Sequence, residues 1–391
     1  MRKLVFLFSF PILCLIGFVL ISEGKISWKE WTFQTPRQEA SLITIAVTSD
    51  NLPKFDLPKL IEVNLTDNQI QVFENGFLRE TFQILSQGQY GKWFQTPTGI
   101  FTVGTKAKEK ISSLADPPVF MNHAVQMYED FFIHERTKYL DGSLTSYSYT
   151  GGCLRLEPEE AKSFFELAQK GETIISYTTF KNYQIKEDFH APVDYQYFWI
   201  RQRFNNPLRG LYLNSPQRAQ EYIHHAGLDL SPNPEASDYQ VYNIFEGKIV
   251  SLIHNGNGDH GLGNTIIIEH QLNNQTIYSL FAHLSTISSD LKIGQLVSQG
   301  EVLGQIGATG YGCNYWRVGT DGCDNDNPLD IHLHFELKTK PVLGSPRNSN
   351  CWVNSRLVPC YGYTPANPTQ DGYLDPFLFL FQEKTTPYLA F

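Results

Sequence analysis

No long run of Lys or Arg occurs in this chain, and 31 basic against 40 acidic side chains leave a net charge of −9. Phosphate backbones are held by clustered positive charge, so nucleic acid is excluded as an expected partner. Charged residues of both signs amount to only 18%, too few to suggest a solvated, disordered chain. Cysteine is sparse too, with six residues and no C-x-x-C spacing, which weakens any reading of the cysteines as a zinc site. No internal repeat is visible.

Aromatic residues reach 14%, with 29 Gly and 21 Pro. That mix suits β-rich globular structure with many turns, and 391 residues suffice for two ordinary domains. The chain opens on "MRKLVFLFSFPILCLIGFVLISEGK", where two basic residues precede an uncharged, apolar run from Leu4 to Ile21. This reads as an export signal, either a cleaved peptide or an uncleaved anchor. The missing A-x-A site favours the anchor, with Cys14 an apolar residue inside it. The protein is therefore expected outside the cytoplasm, touching the membrane only through residues 1–24. Disulfides persist there, and the short separations suggest the pairs Cys313–Cys323 and Cys351–Cys360. Each small ring would contribute roughly 2–3 kcal/mol. Cys153 is left over, and an odd thiol in an exported chain invites a chemical explanation.

Residues 25–57 are polar and read as a linker. From Ile61 alternating strands begin, with Asn75-Gly76 marking a tight hairpin. "EPEEAKSFFELAQKG" (157–171) is the clearest helix: Pro158 stands in its first turn, Ala161, Phe164, Phe165 and Ala168 share one face, and Gly171 can close it. A first domain then spans 58–178, a linker 179–204, a second β-rich domain 205–345, and a C-terminal extension 346–391. Residues 311–330 read as a loop insertion.

Four histidines and one aspartate form a pattern. "HHAGLDL" places His225 and Asp229 with three residues between them, "LFAHLS" supplies His283, and "LDIHLHFELK" puts His332 and His334 on one face of a strand. Catalytic zinc takes three N or O ligands and keeps a fourth position open. Two ligands from one loop and one from a facing strand would meet that number, leaving two imidazoles for proton transfer. Residues 205–340, through "HAGLD", "GLGNTIIIEH", "LFAHLS", "IGQLVSQGEVLGQIGATG" and "HLHFE", resemble the M23 (lysostaphin-type) metallopeptidases. The resemblance implies that His225, Asp229 and His334 bind one Zn²⁺ per chain, with His283 and His332 flanking the water and the scissile carbonyl. It also implies that the substrate is peptide in bacterial peptidoglycan. Two departures stand out: the 311–330 insertion, and Ile331 where the family commonly has proline.

The cysteine has its own constellation. His134 precedes Cys153, and an imidazole can draw a thiol towards thiolate. Gly151 and Gly152 would let backbone N–H groups approach an oxyanion, and Arg155 could hold an anionic group. Residues 58–178, through "TPTGIF", the His134-to-Cys153 spacing and "TGGCLRL", resemble the YkuD-type L,D-transpeptidase domain. The resemblance implies Cys153 as nucleophile, His134 as base oriented by the Glu135 carbonyl, Thr150 and Gly152 lining the motif, and Arg155 near the substrate. Gly151 stands where that family often has histidine.

The expected fold is mainly β (α+β), a YkuD-like sandwich with one helix followed by an M23-like antiparallel domain with an open groove. The expected function is peptidoglycan remodelling by zinc-dependent cleavage and cysteine-dependent transpeptidation. The alternatives are a wall-binding or regulatory module with a silent site, and a secreted lytic factor aimed at other cells. The oligomeric state is left open.

Overall fold

The computed structural model describes residues 52, 57–91, 95–112, 117–146, 150–209, 222–255, 261–310, 330–353 and 356–384. The apolar segment 4–21, most of 25–57, and residues 311–329 of the 311–330 insertion with its Cys313–Cys323 pair lie outside them. Among the described residues no helix is long and apolar enough to cross a membrane.

The first half is built as two sheets over one core. Strands Lys59–Asn64, Gln69–Glu74 and Phe77–Gln83 form an antiparallel meander. Its second hairpin closes at Asn75 and Gly76, whose φ angles are 50° and 80°. That left-handed pair matches the twist of the flanking strands, as Asn-Gly foretells. The other sheet contains Lys106–Ser112, Val119–Tyr128, Phe131–Glu135 and Leu154–Leu156. Ile61, Val63, Ile70 and Val72 from the first pack with Val125, Ile133, Leu154 and Leu156 from the second.

The helix Pro158–Leu167 covers this core with Ala161 and Phe164, and Phe164 meets Phe82 edge-on at 5.4 Å. Pro158 sits in the first turn, where its missing N–H costs nothing. The helix stops four residues before Gly171, because Ala168 is already extended and still buried. Gly171, at φ 91°, turns the chain back into Thr173–Thr179, which pairs parallel to Lys59–Asn64.

In the second half, Gly247–Ile253, Asn264–Leu272, Gln275–Leu284, Leu333–Lys338 and Leu228–Pro232 lie side by side, all antiparallel. Their inner face packs Leu228, Leu230, Ile266, Ile268, Phe281, Leu333, Phe335 and Leu337. The structure is thus mainly β with one substantial helix in its first half.

The stretch 179–204, expected as a linker, is instead part of the core. Phe198–Gln202 is a strand hydrogen-bonded on one side to Thr173–Thr179 and on the other to Leu228–Pro232. It carries the sheet from one half into the other. All five of its residues are buried, so "FWIRQ" shows no polar alternation to announce it. Phe180, Ala191, Val193, Phe198 and Ile200 all join the second core.

The extension after 346 also pairs with this half, through a separate three-stranded sheet and through the large one. Tyr363–Thr364 pairs with Tyr222–His225, and Tyr373–Leu374 pairs with Leu333–Lys338. Asp375 caps the short helix Pro376–Leu380, accepting from the N–H groups of Phe377 and Leu378. Cys351 and Cys360 are disulfide-bonded across the hairpin of Asn350–Val353 with Arg356–Pro359. Cys153 is a free thiol.

Candidate active sites

His225 ends the strand Tyr222–His225, and Asp229 stands on the next, Leu228–Pro232. His334 lies directly across from Asp229 in the neighbouring strand. Gly227 permits this approach: a Cβ there would lie 2.6 Å from the Phe335 carbonyl oxygen and 2.8 Å from the His334 ring. The glycine of "HAGLD" is thus demanded by close packing.

The three donor atoms converge. His225 Nε2 is 3.2 Å and His334 Nδ1 is 2.8 Å from Asp229 Oδ1, and the two nitrogens are 3.0 Å apart. All three residues are buried. The opposite ring nitrogens are engaged elsewhere: His225 Nδ1–H donates to the Arg203 carbonyl at 3.1 Å, and His334 Nε2–H to Glu336 Oε1 at 3.0 Å. These outer bonds fix tautomer and ring plane, as is usual for metal-ligating imidazole. Two imidazoles and one carboxylate with converging lone pairs are a donor set that suits zinc, and calcium or magnesium poorly.

Burial opposes charge on His334, yet its bonds to the Asp229 and Glu336 carboxylates prevail and raise its pKa to about 9. Asp229 is likewise held well below its ordinary value, chiefly by His225 against the cost of burial. Glu336 in turn bonds Lys338 Nζ at 2.5 Å. His334, Glu336 and Lys338 alternate along one strand and share its face. That period was readable in "HLHFELK", but sequence reasoning stopped at the histidines. Replacing Glu336 with Gln should weaken zinc affinity about 10- to 100-fold, read by competition with a chromophoric chelator.

His283 and His332 stack obliquely, ring centres 4.7 Å apart, and His283 lies 5.9 Å from His334. His283 Nδ1–H donates to the Thr309 carbonyl at 2.8 Å, and His332 Nδ1–H to that of Asp330 at 2.7 Å. Each therefore offers Nε2 as a proton acceptor. Burial lowers the pKa of His283 to about 4 and puts that of His332 well below the usual range, with Arg201's charge adding to both shifts. Arg201, fully buried on Phe198–Gln202, went unnoticed in the sequence.

The cysteine centre lies on the other sheet. Phe131–Glu135 and Leu154–Leu156 run parallel, with His134 opposite Arg155. Cys153 Sγ accepts from the Phe132 N–H at 3.4 Å, and its S–H points to the Asp130 carbonyl at 3.8 Å. His134 Nδ1–H donates to the Glu135 carbonyl at 2.5 Å, leaving Nε2 as acceptor. Burial lowers the His134 pKa to about 4, and Arg155's charge lowers it further against that bond. Burial also raises the Cys153 pKa, opposed by the Phe132 N–H, Arg155 and Lys110. At neutral pH Cys153 is thus a thiol and His134 a neutral imidazole.

Thr150 shapes the turn. Its Oγ1 donates to the Cys153 carbonyl at 2.7 Å and accepts from Gly152 N–H at 2.9 Å. The Gly152 N–H is thus engaged within the turn, where the sequence had suggested an oxyanion donor; the glycine serves the turn, with φ 98°. Gly151 faces open space, with nothing within 4 Å of an added Cβ. Arg155 Nη1 donates to the Ser146 carbonyl at 2.6 Å.

The peptidase family M23 model matches residues 223–346, and the YkuD L,D-transpeptidase catalytic domain model matches residues 58–176. The two matches follow one another along the chain, YkuD first and M23 second. Endolysin 2638A of Staphylococcus phage 2638A is 27% identical over 148 residues, 38% of this chain and 25% of the endolysin. The chain thus spans about a quarter of that relative's length. Among solved structures, an L,D-transpeptidase from Stackebrandtia nassauensis is 21% identical, with 33% of this chain and 60% of that one covered and a TM-score of 0.28. A fused Zn-dependent amidase/peptidase/peptidoglycan-binding protein from Clostridium acetobutylicum is 22% identical, with 34% and 56% covered and a TM-score of 0.26.

Each matched segment carries one of the two constellations. The histidine–aspartate cluster falls inside the M23 match, and Cys153 with His134 inside the YkuD match. Beyond both matches, Gly362 of the C-terminal extension lies 3.4 Å from the His334 ring, counted from an added Cβ. The extension therefore helps wall the M23 centre.

Proposed function

We propose that this chain is an exported cell-wall enzyme with two chemistries, zinc-dependent endopeptidase and cysteine-dependent L,D-transpeptidase, both acting on peptidoglycan peptides. The observation that carries the first is the convergence of His225 Nε2, Asp229 Oδ1 and His334 Nδ1 with their outer nitrogens anchored. Bound by these three, zinc would polarise the scissile carbonyl and acidify a water. His283 and His332 present unprotonated Nε2 atoms, so the ring nearer the water accepts its proton and later returns it to the leaving amine. An imidazole of this pair steadies an oxyanion only after it has gained a proton, because its other N–H is held by a backbone carbonyl.

In the YkuD domain, the Cys153 thiol attacks a stem-peptide carbonyl while its proton passes to His134 Nε2. The proton leaves with the departing amine, and a thioester remains. An amine from a second stem then attacks the thioester, forming the new amide and restoring the thiol. Arg155, beside His134, supports the thiolate electrostatically.

Zymography on purified sacculi tests this reading, with His334→Ala and Cys153→Ala as separate probes. Wild-type protein without activity at either centre would favour a wall-binding module. A pH consequence also follows. The fold holds His134 near pKa 4, whereas an unfolded histidine titrates near about 6.5. Between those values the unfolded chain binds more protons, so stability falls as pH drops from about 6.5 to about 4, by up to about 3 kcal/mol from this group. Urea unfolding at pH 7 and pH 4.5 should show that loss, and His134→Gln should reduce it. A His134→Gln variant as acid-sensitive as the wild type would contradict the assignment.

A further inference from the structure

Two seams, one buried and one half-buried, connect the cysteine centre to the histidine–aspartate centre, and the same short segments anchor both. The first runs through Arg203. Its carbonyl holds the His225 ring at 3.1 Å, and its Nη2–H donates to the Thr96 carbonyl at 2.7 Å. Thr96 Oγ1 then donates to the carbonyl of Gly152, next to Cys153, at 2.8 Å. Flanking bonds stiffen this path. Asn206 accepts from Thr98 N–H at 2.8 Å and donates to the Thr98 carbonyl at 2.9 Å, and Gln95 donates to the Phe204 carbonyl at 2.8 Å. The His225 backbone N–H also donates to the Asn206 carbonyl at 3.1 Å. Arg203, Thr96, Thr98, Gln95 and Asn206 are all buried, where such bonds are costly to break.

The second seam runs through Tyr222, which begins the strand that ends in His225. Its hydroxyl donates to Asp130 Oδ2 at 2.9 Å, and its ring meets Phe131 edge-on at 6.1 Å. The backbone carbonyl of Asp130 is the one that faces the Cys153 thiol. Three steps of strand, roughly 10 Å, therefore separate a side chain that buttresses the cysteine pocket from a donor of the histidine–aspartate cluster.

We propose that the two centres rest on one shared support, with Arg203 and Tyr222, both outside the YkuD match, acting as positioning residues for the Cys153 centre and Arg203 also for His225. This inference rests on the reading of the two centres given above. Around the Cys153 thiol, Arg155 and Lys110 favour the thiolate, Asp130 opposes it, and His134 is neutral. The Tyr222 hydroxyl tempers the Asp130 carboxylate. Its loss leaves that negative charge less screened and shifts thiolate formation to higher pH.

The test uses the full chain and two readings other than turnover. One is zinc affinity by chelator competition. The other is the rate of iodoacetamide alkylation against pH, read by mass spectrometry on the peptide carrying Cys153. Arg203→Met should weaken zinc about tenfold and change the alkylation rate about threefold or more, with Arg203→Lys recovering part of both. Tyr222→Phe, which keeps the ring and deletes only the hydroxyl, should slow alkylation about threefold at neutral pH and raise its midpoint. Arg203→Met that moves neither reading, or only one, overturns the shared support, as does an unmoved pH profile in Tyr222→Phe. Wild-type protein that takes up no zinc, or is not alkylated at Cys153, defeats the underlying reading of that centre and the shared support with it. Normal wild-type values beside unmoved variants defeat the shared support alone.

Discussion

His334→Ala should abolish zinc uptake and lower endopeptidase activity on sacculi by at least ~10³-fold, since zinc supplies several kcal/mol of transition-state stabilisation. His334 faces Asp229 Oδ1 at 2.8 Å and His225 Nε2 at 3.0 Å, so its ring completes the donor set. Removing it also takes from Glu336 Oε1 its imidazole partner, while Glu336 Oε2 keeps Lys338. Two donors, His225 and Asp229, would remain, too few for a catalytic zinc site. The transpeptidase reaction should persist, because Cys153 and His134 lie on a different sheet. Metal analysis and sacculus hydrolysis, measured on the same preparation, check both statements. Full hydrolysis by His334→Ala would remove the zinc assignment.

Cys153→Ala should eliminate transpeptidation, by at least ~10⁴-fold, as loss of a nucleophile generally does. It should leave zinc binding and hydrolysis intact. The thiol is replaced by a methyl group in a pocket bordered by Met121, Ala124 and Phe132, so the fold tolerates the change. The same thiol should be acylated by a carbapenem, giving one mass increment on the Cys153 peptide. At rest the thiol is protonated and its base neutral, so acylation should speed up with rising pH. A folded, reduced protein that gains no mass would count against a working nucleophile.

What the sequence disclosed follows from where its information is local. The Asn75-Gly76 hairpin, the Pro158-led helix and the two-residue period of "HLHFELK" each lie within a dozen residues. Their spacing alone reports geometry. The strand Phe198–Gln202 was hidden because it is buried throughout, and a central strand without polar alternation resembles no surface pattern. The docking of Tyr363–Thr364 and Tyr373–Leu374 was hidden for another reason: such two-residue pairings gain their meaning from distant partners.

The sites divide in the same way. The donor set was legible because histidine and aspartate are chemically conspicuous. Arg203 was not, because it acts on His225 through a backbone carbonyl, which every residue type possesses. The Gly152 N–H shows the converse error, since a glycine suggested an open donor that Thr150 Oγ1 in fact occupies.

Muropeptide analysis of sacculi incubated with wild type, Cys153→Ala and His334→Ala tests the central claim of two chemistries on one chain most directly. The wild type should yield both new L,D cross-links and newly cut peptides, Cys153→Ala only the cuts, and His334→Ala only the cross-links. Identical products from all three proteins, or both products lost with either substitution, would contradict it.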